Sequence, residues 1–207
     1  QVIFTSGGSE ANNLFIRGAA DSVKPNHLFI SAIEHPCVLK PAQALSRRGS
    51  DPWNLHQFSV DSSGRVDLEA AKLALQQYPP KIVSVMLANN ETGVIQDVTA
   101  IAEMARAHGA SVHTDAIQAL GKIPVDFSAL NVHALTLSAH KINGPKGAAA
   151  LIVDKRLLLK PLIYGGGHEN GLRSGTENVP AIVGFGLACE LAKRRAAETA
   201  HHTAELR

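Results

Sequence analysis

Short apolar runs alternate along the chain with longer segments in which apolar residues recur at helical spacing. Run 81–87 (KIVSVML) is rich in β-branched residues and has the length of a buried strand. Segment 67–77 places Leu68, Ala71 and Leu75 on one helical face behind an Asp67 cap. The pattern predicts strands at 2–5, 27–33, 54–60, 81–87, 111–115, 134–138 and 148–153. It predicts helices at 9–20, 36–48, 67–77, 98–108 and 179–207, with a break or early turn at Pro41.

The alternation of strands and helices is typical of a mainly parallel sheet with helices on both faces. Strands of such sheets are covered on both sides, so they read as continuous apolar runs, as they do in this chain. We therefore predict an α/β fold, a three-layer sandwich with a mainly parallel sheet, in one domain that spans residues 1–207.

Composition, net charge and cysteine content indicate which class of protein the sequence encodes. Of the 207 residues 45% are hydrophobic and 18% charged, which is typical of a folded globular domain. The 20 basic and 18 acidic residues nearly cancel, which argues against direct nucleic-acid binding driven by charge. No apolar run approaches the ~18 residues of a membrane helix, and no signal peptide is visible. The only cysteines, Cys37 and Cys189, lack metal-ligand spacing, so we expect a reducing, cytoplasmic location and no metal.

Candidate chemistry gathers where the predicted strands end. Because ligands of open α/β sheets bind at the carboxyl ends of the strands, the residues that follow each strand are the candidates for a ligand site. Polar and ionisable side chains follow five of them: Ser6–Glu10 (SGGSE), Glu34 and His35, Asn89–Gly93 (NNETG), Thr114–Gln118 (TDAIQ), and Ser138–Lys141 (SAHK). This clustering predicts a ligand site at that edge of the sheet.

Several of these residues have a functional and a structural interpretation. The glycines of segment 6–9 and the helix that follows are typical of a phosphate or carboxylate site, but also of an ordinary strand-to-helix turn. Asp115 could pair with a protonated pyridine nitrogen or a metal, or cap the short segment 116–120. Lys141 could be an amine nucleophile toward an aldehyde, beside anion donors at Ser138 and His140, or a surface lysine.

The remaining candidates are equally open. His35 could stack on a flat ring and carry protons, or be an ordinary loop histidine. Cys37 could be a nucleophile with a lowered pKa at a helix start, or a small buried hydrophobe, whereas Cys189 suits a helix core. The glycine-rich stretch 165–176 could close a site, reach a neighbouring subunit and bind an anion, or be a plain connection. Glu34, Glu91 and Glu169 are expected to be structural or solvated.

Six motifs in order along the chain carry a family resemblance: FTSGGSEANN, SAIEHPCVL, MLANNETGVIQ, HTDAIQALGK, SAHKINGPKG and GGGHENGLRSGTENVP. Together they resemble cysteine desulfurases of the NifS/IscS-like type, in the class V aminotransferase group of fold-type I pyridoxal-phosphate enzymes. Two departures are mild: Gly7–Glu10 reads GGSE where the family usually has Gly-Ala-Thr-Glu, and Ala139 replaces a more common glycine.

The resemblance implies a role for each matching residue. Lys141 would hold the aldehyde of pyridoxal phosphate covalently, and Asp115 would keep its ring nitrogen protonated. His35 would stack on the ring and assist proton transfer, Gln118 would bond the phenolic oxygen, and Asn90 would lie beside cofactor and substrate. The phosphate contacts would come from Gly8, Ser9, Ser138 and His140, and from Thr176 of a second subunit in a homodimer.

The implied activity converts L-cysteine to L-alanine and passes sulfur to an enzyme cysteine, then to an acceptor protein, as in iron–sulfur cluster assembly. The family's sulfur-carrying cysteine and carboxylate-binding arginine have no match in this chain. We therefore expect a pyridoxal-phosphate-binding large domain, truncated at both ends and lacking the C-terminal small domain. The alternatives are a related aminotransferase or selenocysteine lyase, or an incomplete fragment that serves as a binding or dimerising module.

Overall fold

A seven-stranded sheet forms the centre of the molecule in the computed structural model, which describes residues 1–196, 198 and 199. Its order is β1-β7-β6-β5-β4-β2-β3. Strands β2 to β6 pair in parallel, and β7 is antiparallel to both β6 and β1. The predicted mainly parallel sheet is confirmed. The strands are β1 (Val2–Thr5), β2 (His27–Ser31), β3 (Asn54–Phe58), β4 (Pro80–Ser84), β5 (Ser111–Asp115), β6 (Ala134–Ser138) and β7 (Ala149–Val153).

Among the described residues, five α-helices cover the two faces of this sheet. One face carries α1 (Gly8–Ala20) and α2 (Pro36–Ser46). The other carries α3 (Leu68–Gln77), α4 (Val98–Ala107) and α5 (Val179–Arg194). Successive strand residues alternate between the two cores: Leu28 and Ile30 pack under α1 and α2, whereas Phe29 packs on the opposite side. The predicted three-layer arrangement follows from this alternation.

The predicted bounds are exact for β1, β5 and β6, and those of the other strands differ from the structure by one to three residues. The β4 ladder ends at Ser84, although the apolar run continues to Leu87. Beyond Ser84 the backbone still bonds to β5, because Val85 N donates to His113 O (3.1 Å) and Leu87 N donates to Asp115 O (2.9 Å). The same register brings the residues after β4 next to the end of β5.

The break predicted at Pro41 is wrong, because α2 runs without interruption from Pro36 to Ser46. Pro41 has no backbone N–H, so the carbonyl of Cys37 loses its helical donor. Asn13 of α1 supplies another, with its Nδ2 at 3.5 Å from that oxygen. A neighbouring helix therefore compensates for the proline.

The last helix, α5, ends at Arg194 with Arg195 in a non-helical cap, and residues 196, 198 and 199 beyond that cap are again helical. The rest of the prediction, at residue 197 and at 200–207, lies outside the described residues. Within the part that the structure describes, none of the helices combines the length and apolar character that crossing a bilayer requires.

Candidate active site

A cavity of about 310 Å³ opens at the carboxyl edge of the sheet, where the sequence predicts a ligand site. Its walls come from the segments after β1, β2, β4, β5 and β6, because these strands run in the same direction. The candidate residues that line it are Gly8, Ser9, His35, Asn90, Asp115, Gln118, His140 and Lys141. Cys37, Met86 and Ile117 complete the wall.

Two candidates lie outside this lining. Ser138, the last residue of β6, is buried and its Oγ lies 2.9 Å from His140 Nδ1, so it contacts the cavity through that ring. Thr176 lies on a separate cavity of about 230 Å³, beside Glu169, Arg173 and Asn178. Within one chain, therefore, Thr176 is not part of the group that surrounds Lys141.

The start of α1 forms one end of the main cavity. Gly7 caps this helix without a side-chain hydrogen bond, which leaves amide donors of the first turn to a ligand. A Cβ at Gly8 would lie 2.2 Å from Ile117 Cδ1, so the end of the Ile117 side chain would have to shift to admit a larger residue. An open helix N-terminus favours a phosphate or carboxylate group.

Asp115 ends β5 almost fully buried, with 5% of its surface exposed. Its Oδ1 accepts from Ile117 N at 3.0 Å, which is the capping role considered from sequence. Its Oδ2 accepts from Asn12 Nδ2 at 2.7 Å. Burial raises the pKa of Asp115, and these two hydrogen bonds oppose that shift. A cationic ligand atom in the cavity would stabilise the ionised carboxylate further.

His35 and Cys37 share the start of α2. His35 is the N-cap, and its Nδ1 accepts from Cys37 N at 3.2 Å. The Cys37 thiol lies 2.8 Å from the same nitrogen and 3.0 Å from Asn12 Nδ2. Burial raises the pKa of Cys37 to about 11, so the thiol stays protonated near neutral pH. The lowered pKa that a cysteine nucleophile needs is therefore absent at Cys37.

Glu34 lies beneath the site and is structural, as expected from sequence, but its environment is unusual. Its Oε1 accepts from Ser31 Oγ (2.5 Å) and Met86 N (2.7 Å), which ties the end of β2 to the segment after β4. Its Oε2 is buried without a hydrogen-bond partner among the described residues. Burial raises the pKa of Glu34 to about 8, and the nearby charge of Asp115 adds to the shift.

The glycine-rich stretch 165–176 is anchored to the body of the domain. Glu169 Oε2 accepts from Phe4 N at 3.1 Å, and Arg173 Nε donates to Glu10 Oε1 at 2.8 Å. Arg173, one of the donors expected to suit an anion, is therefore engaged with Glu10. Cys189 is half-buried on α5 and packs against the core, in line with the core interpretation.

Asn12 is the residue that sequence reasoning missed. It belongs to the motif FTSGGSEANN, in which the glycines and the charged residue are more evident candidates for a functional role. The available signal was its position, since Asn12 falls one turn after Gly8 on the apolar face formed by Ala11 and Phe15. A polar residue on such a face calls for a hydrogen-bonding explanation.

The donor set fits a phosphorylated pyridine aldehyde. Lys141 offers a primary amine, Asp115 a buried carboxylate for a ring nitrogen, and the uncapped end of α1 a phosphate site. Within the described residues, no group of three or more His, Cys, Asp or Glu side chains is arranged to hold a metal ion.

Comparison with known proteins agrees with this geometry. The chain is 45% identical over 194 residues to a cysteine desulfurase of Sinorhizobium fredii, covering 93% of this chain and 49% of the relative. It is 43% identical to a mitochondrial cysteine desulfurase of Arabidopsis thaliana, over 94% of this chain and 43% of the relative. The chain thus spans about half the length of the curated relatives it matches.

Solved structures give the same result. A NifS-like protein superposes with a TM-score of 0.93 at 38% identity, over 100% of this chain and 56% of that one. A structure of SspA in complex with cysteine has a TM-score of 0.85 at 38% identity, over 91% and 55% of the two chains. The sequence model of the family described as aminotransferase class-V matches residues 1–207. The chain therefore belongs to the aminotransferase class-V family, whose members depend on pyridoxal phosphate.

Proposed function

We propose that this chain is the cofactor-binding large domain of a pyridoxal-phosphate-dependent cysteine desulfurase, which converts L-cysteine to L-alanine. The observation that carries the proposal is the convergence of Lys141, Asp115 and His35 on one cavity, in a chain 45% identical to a curated desulfurase. The similar structure of SspA in complex with cysteine supports L-cysteine as the substrate.

In the proposed function, the candidate residues of the cavity bind the cofactor or assist proton transfer. Pyridoxal phosphate, when bound, supplies an electron sink for a carbanion at the substrate α-carbon. Lys141 would bind the aldehyde through its amine, and Asp115 would accept a hydrogen bond from the protonated ring nitrogen. His35 would stack on the ring and assist proton transfer.

The phosphate and the substrate are held by the remaining residues of the cavity. Amide groups of Gly8 and Ser9 at the open end of α1 would bind the phosphate, with help from Ser138 and His140. Gln118 would bond the phenolic oxygen, and Asn90 would lie next to the substrate. Neither Cys37 nor Cys189 is proposed to carry the sulfur. Burial raises the pKa of the Cys37 thiol, and Cys189 packs on the core.

A homodimer is part of the proposal. Because Thr176 lies outside the cavity of its own chain, a contact from Thr176 to the phosphate requires a second copy. Apolar side chains of α5 are exposed at a spacing of four residues, which supports a further interface on that helix: Val179, Val183, Leu187 and Leu191. We also propose a cytoplasmic enzyme that passes sulfur to an acceptor protein, with iron–sulfur cluster assembly as its role.

Turnover of L-cysteine tests this function. The full-length protein, loaded with pyridoxal phosphate, is expected to form alanine from L-cysteine, and Lys141→Ala is expected to abolish that activity. Lys146→Ala, in the same loop but outside the cavity lining, should retain it. Alanine formed from selenocysteine alone would favour a selenocysteine lyase. Transfer of an amino group without sulfide would favour an aminotransferase, and a folded protein that binds no cofactor a dimerising module.

A further inference from the structure

We infer that Asn12 is a positioning residue that holds the Asp115 carboxylate in its ionised form and couples it to the Cys37 thiol and His35. The inference deepens the proposed function and rests on it for the consequence at the cofactor. Asn12 lies in α1, is fully buried, and does not line the cavity itself.

The first observation is the use of both amide hydrogens. Asn12 Nδ2 donates to Asp115 Oδ2 at 2.7 Å and to Cys37 Sγ at 3.0 Å. The two acceptors belong to different elements, β5 and α2, so the single amide group ties together two sides of the site. Cys37 Sγ also lies 4.0 Å from Asp115 Oδ2, which makes the three groups one compact cluster.

The second observation concerns the side-chain oxygen of Asn12. Its Oδ1 is buried and has no hydrogen-bond partner among the described residues. An unpaired buried carbonyl oxygen costs free energy, and an apolar side chain of similar size would avoid that cost. An apolar side chain would, however, remove the donor to the buried Asp115 Oδ2, so the amide donors account for an asparagine at this position.

The hydrogen bonds around Cys37 extend from Asn12 to His35. Because His35 Nδ1 accepts from Cys37 N, this nitrogen carries no hydrogen in that arrangement. The Cys37 thiol lies 2.8 Å from the same nitrogen and 4.0 Å from Asp115 Oδ2, and its sulfur accepts from Asn12. The backbone N–H of Cys37 therefore keeps the His35 hydrogen on Nε2, and Asn12 holds the thiol beside that ring.

The expected consequence concerns charge. Burial favours the neutral form of Asp115, whereas a donated hydrogen bond favours the carboxylate. Removal of the Asn12 amide therefore raises the pKa of Asp115, and a neutral Asp115 no longer favours a protonated ring nitrogen. Asn12 thus sets how strongly the site binds pyridoxal phosphate without touching it.

Substitution of two neighbouring asparagines separates this role from a structural one. Asn12→Leu removes the donors at nearly constant volume, and Asn12→Ala is a second variant if Leu impairs folding. Asn13→Leu is the matched control, because among the described residues the Asn13 amide bonds to the backbone carbonyls of Ser9 and Cys37 and not to the Asp115 carboxylate or the Cys37 thiol. The first readout is the carboxyl 13C NMR titration of Asp115 in the cofactor-free full-length protein, with Asp115→Asn to assign the signal.

We expect the Asp115 titration midpoint to rise by about one pH unit or more in both Asn12 variants, and to stay unchanged in Asn13→Leu. The dissociation constant of pyridoxal phosphate should rise about tenfold in the Asn12 variants. An unchanged midpoint in the Asn12 variants overturns the inference, whether or not the protein binds the cofactor. Absence of cofactor binding by the wild-type protein overturns instead the proposed function and the consequence drawn from it at the cofactor.

Discussion

Glu34 shows how one carboxyl group can make stability depend on pH. Its folded-state pKa of about 8 exceeds the ordinary value of 4.5, so between these values the folded protein binds more protons at this site than the unfolded chain. The free energy of unfolding therefore falls as the pH rises from about 5 to 8. The cause is burial of one carboxyl oxygen without a partner, next to Asp115.

Glu34→Gln should flatten this pH dependence. Glutamine can still accept from Ser31 and Met86 through its carbonyl oxygen, but it has no proton to lose. Urea unfolding at pH 5.5 and pH 8 should therefore show a smaller difference in the variant than in the wild type. Glu91→Gln, at an exposed position, should keep the wild-type difference. Equal pH dependence in the wild type and Glu34→Gln would contradict this account.

At the scale of elements, sequence pattern predicts the order and type of the described strands and α-helices, because parallel strands are covered on both faces. It does not predict the short 3-10 helices Ala139–Ile142 and Glu169–Gly171. Boundaries are less predictable, since β4 ends at Ser84 although the apolar run and its backbone bonds to β5 continue to Leu87. In α2, which continues through Pro41, the Cys37 carbonyl lies 3.5 Å from the Asn13 amide of another helix, a long-range contact that local pattern cannot contain. The same limit hides Asn12, whose role depends on two partners far along the chain.

The packing of α1 gives a prediction of its own at this scale. Gly18 lies where a Cβ would meet the carbonyl oxygen of Lys160 at 2.6 Å, and Lys160 N donates to Gly18 O at 3.0 Å. Because a backbone atom blocks the added methyl group, Gly18→Ala should lower the free energy of unfolding by about 1–3 kcal/mol.

Gly186 of α5 is the matched control for Gly18. It is also inside a helix, but a Cβ there would meet nothing within 4 Å. Gly186→Ala should leave stability unchanged or raise it by about 0.5–1 kcal/mol, since alanine favours the helix. Chemical denaturation of both variants measures the two effects, and a stability loss of equal size in both would refute the packing argument.

At the scale of the whole molecule, the site exists because five strand ends meet at one edge of the sheet. That convergence follows from the strand directions, so its residues could be predicted from sequence once a parallel sheet was inferred. Thr176 could not be placed in the same way, because its cavity is separate and its proposed contact crosses to another copy.

The central claim is that Lys141 holds pyridoxal phosphate in this cavity. Borohydride reduction of the cofactor-loaded protein, followed by peptide mass spectrometry, shows which lysine carries it. The account predicts the added pyridoxyl mass on the peptide that contains Lys141, with Lys146 unlabelled and the label lost in Lys141→Ala. A folded protein labelled at another lysine, or not labelled at all, would contradict it.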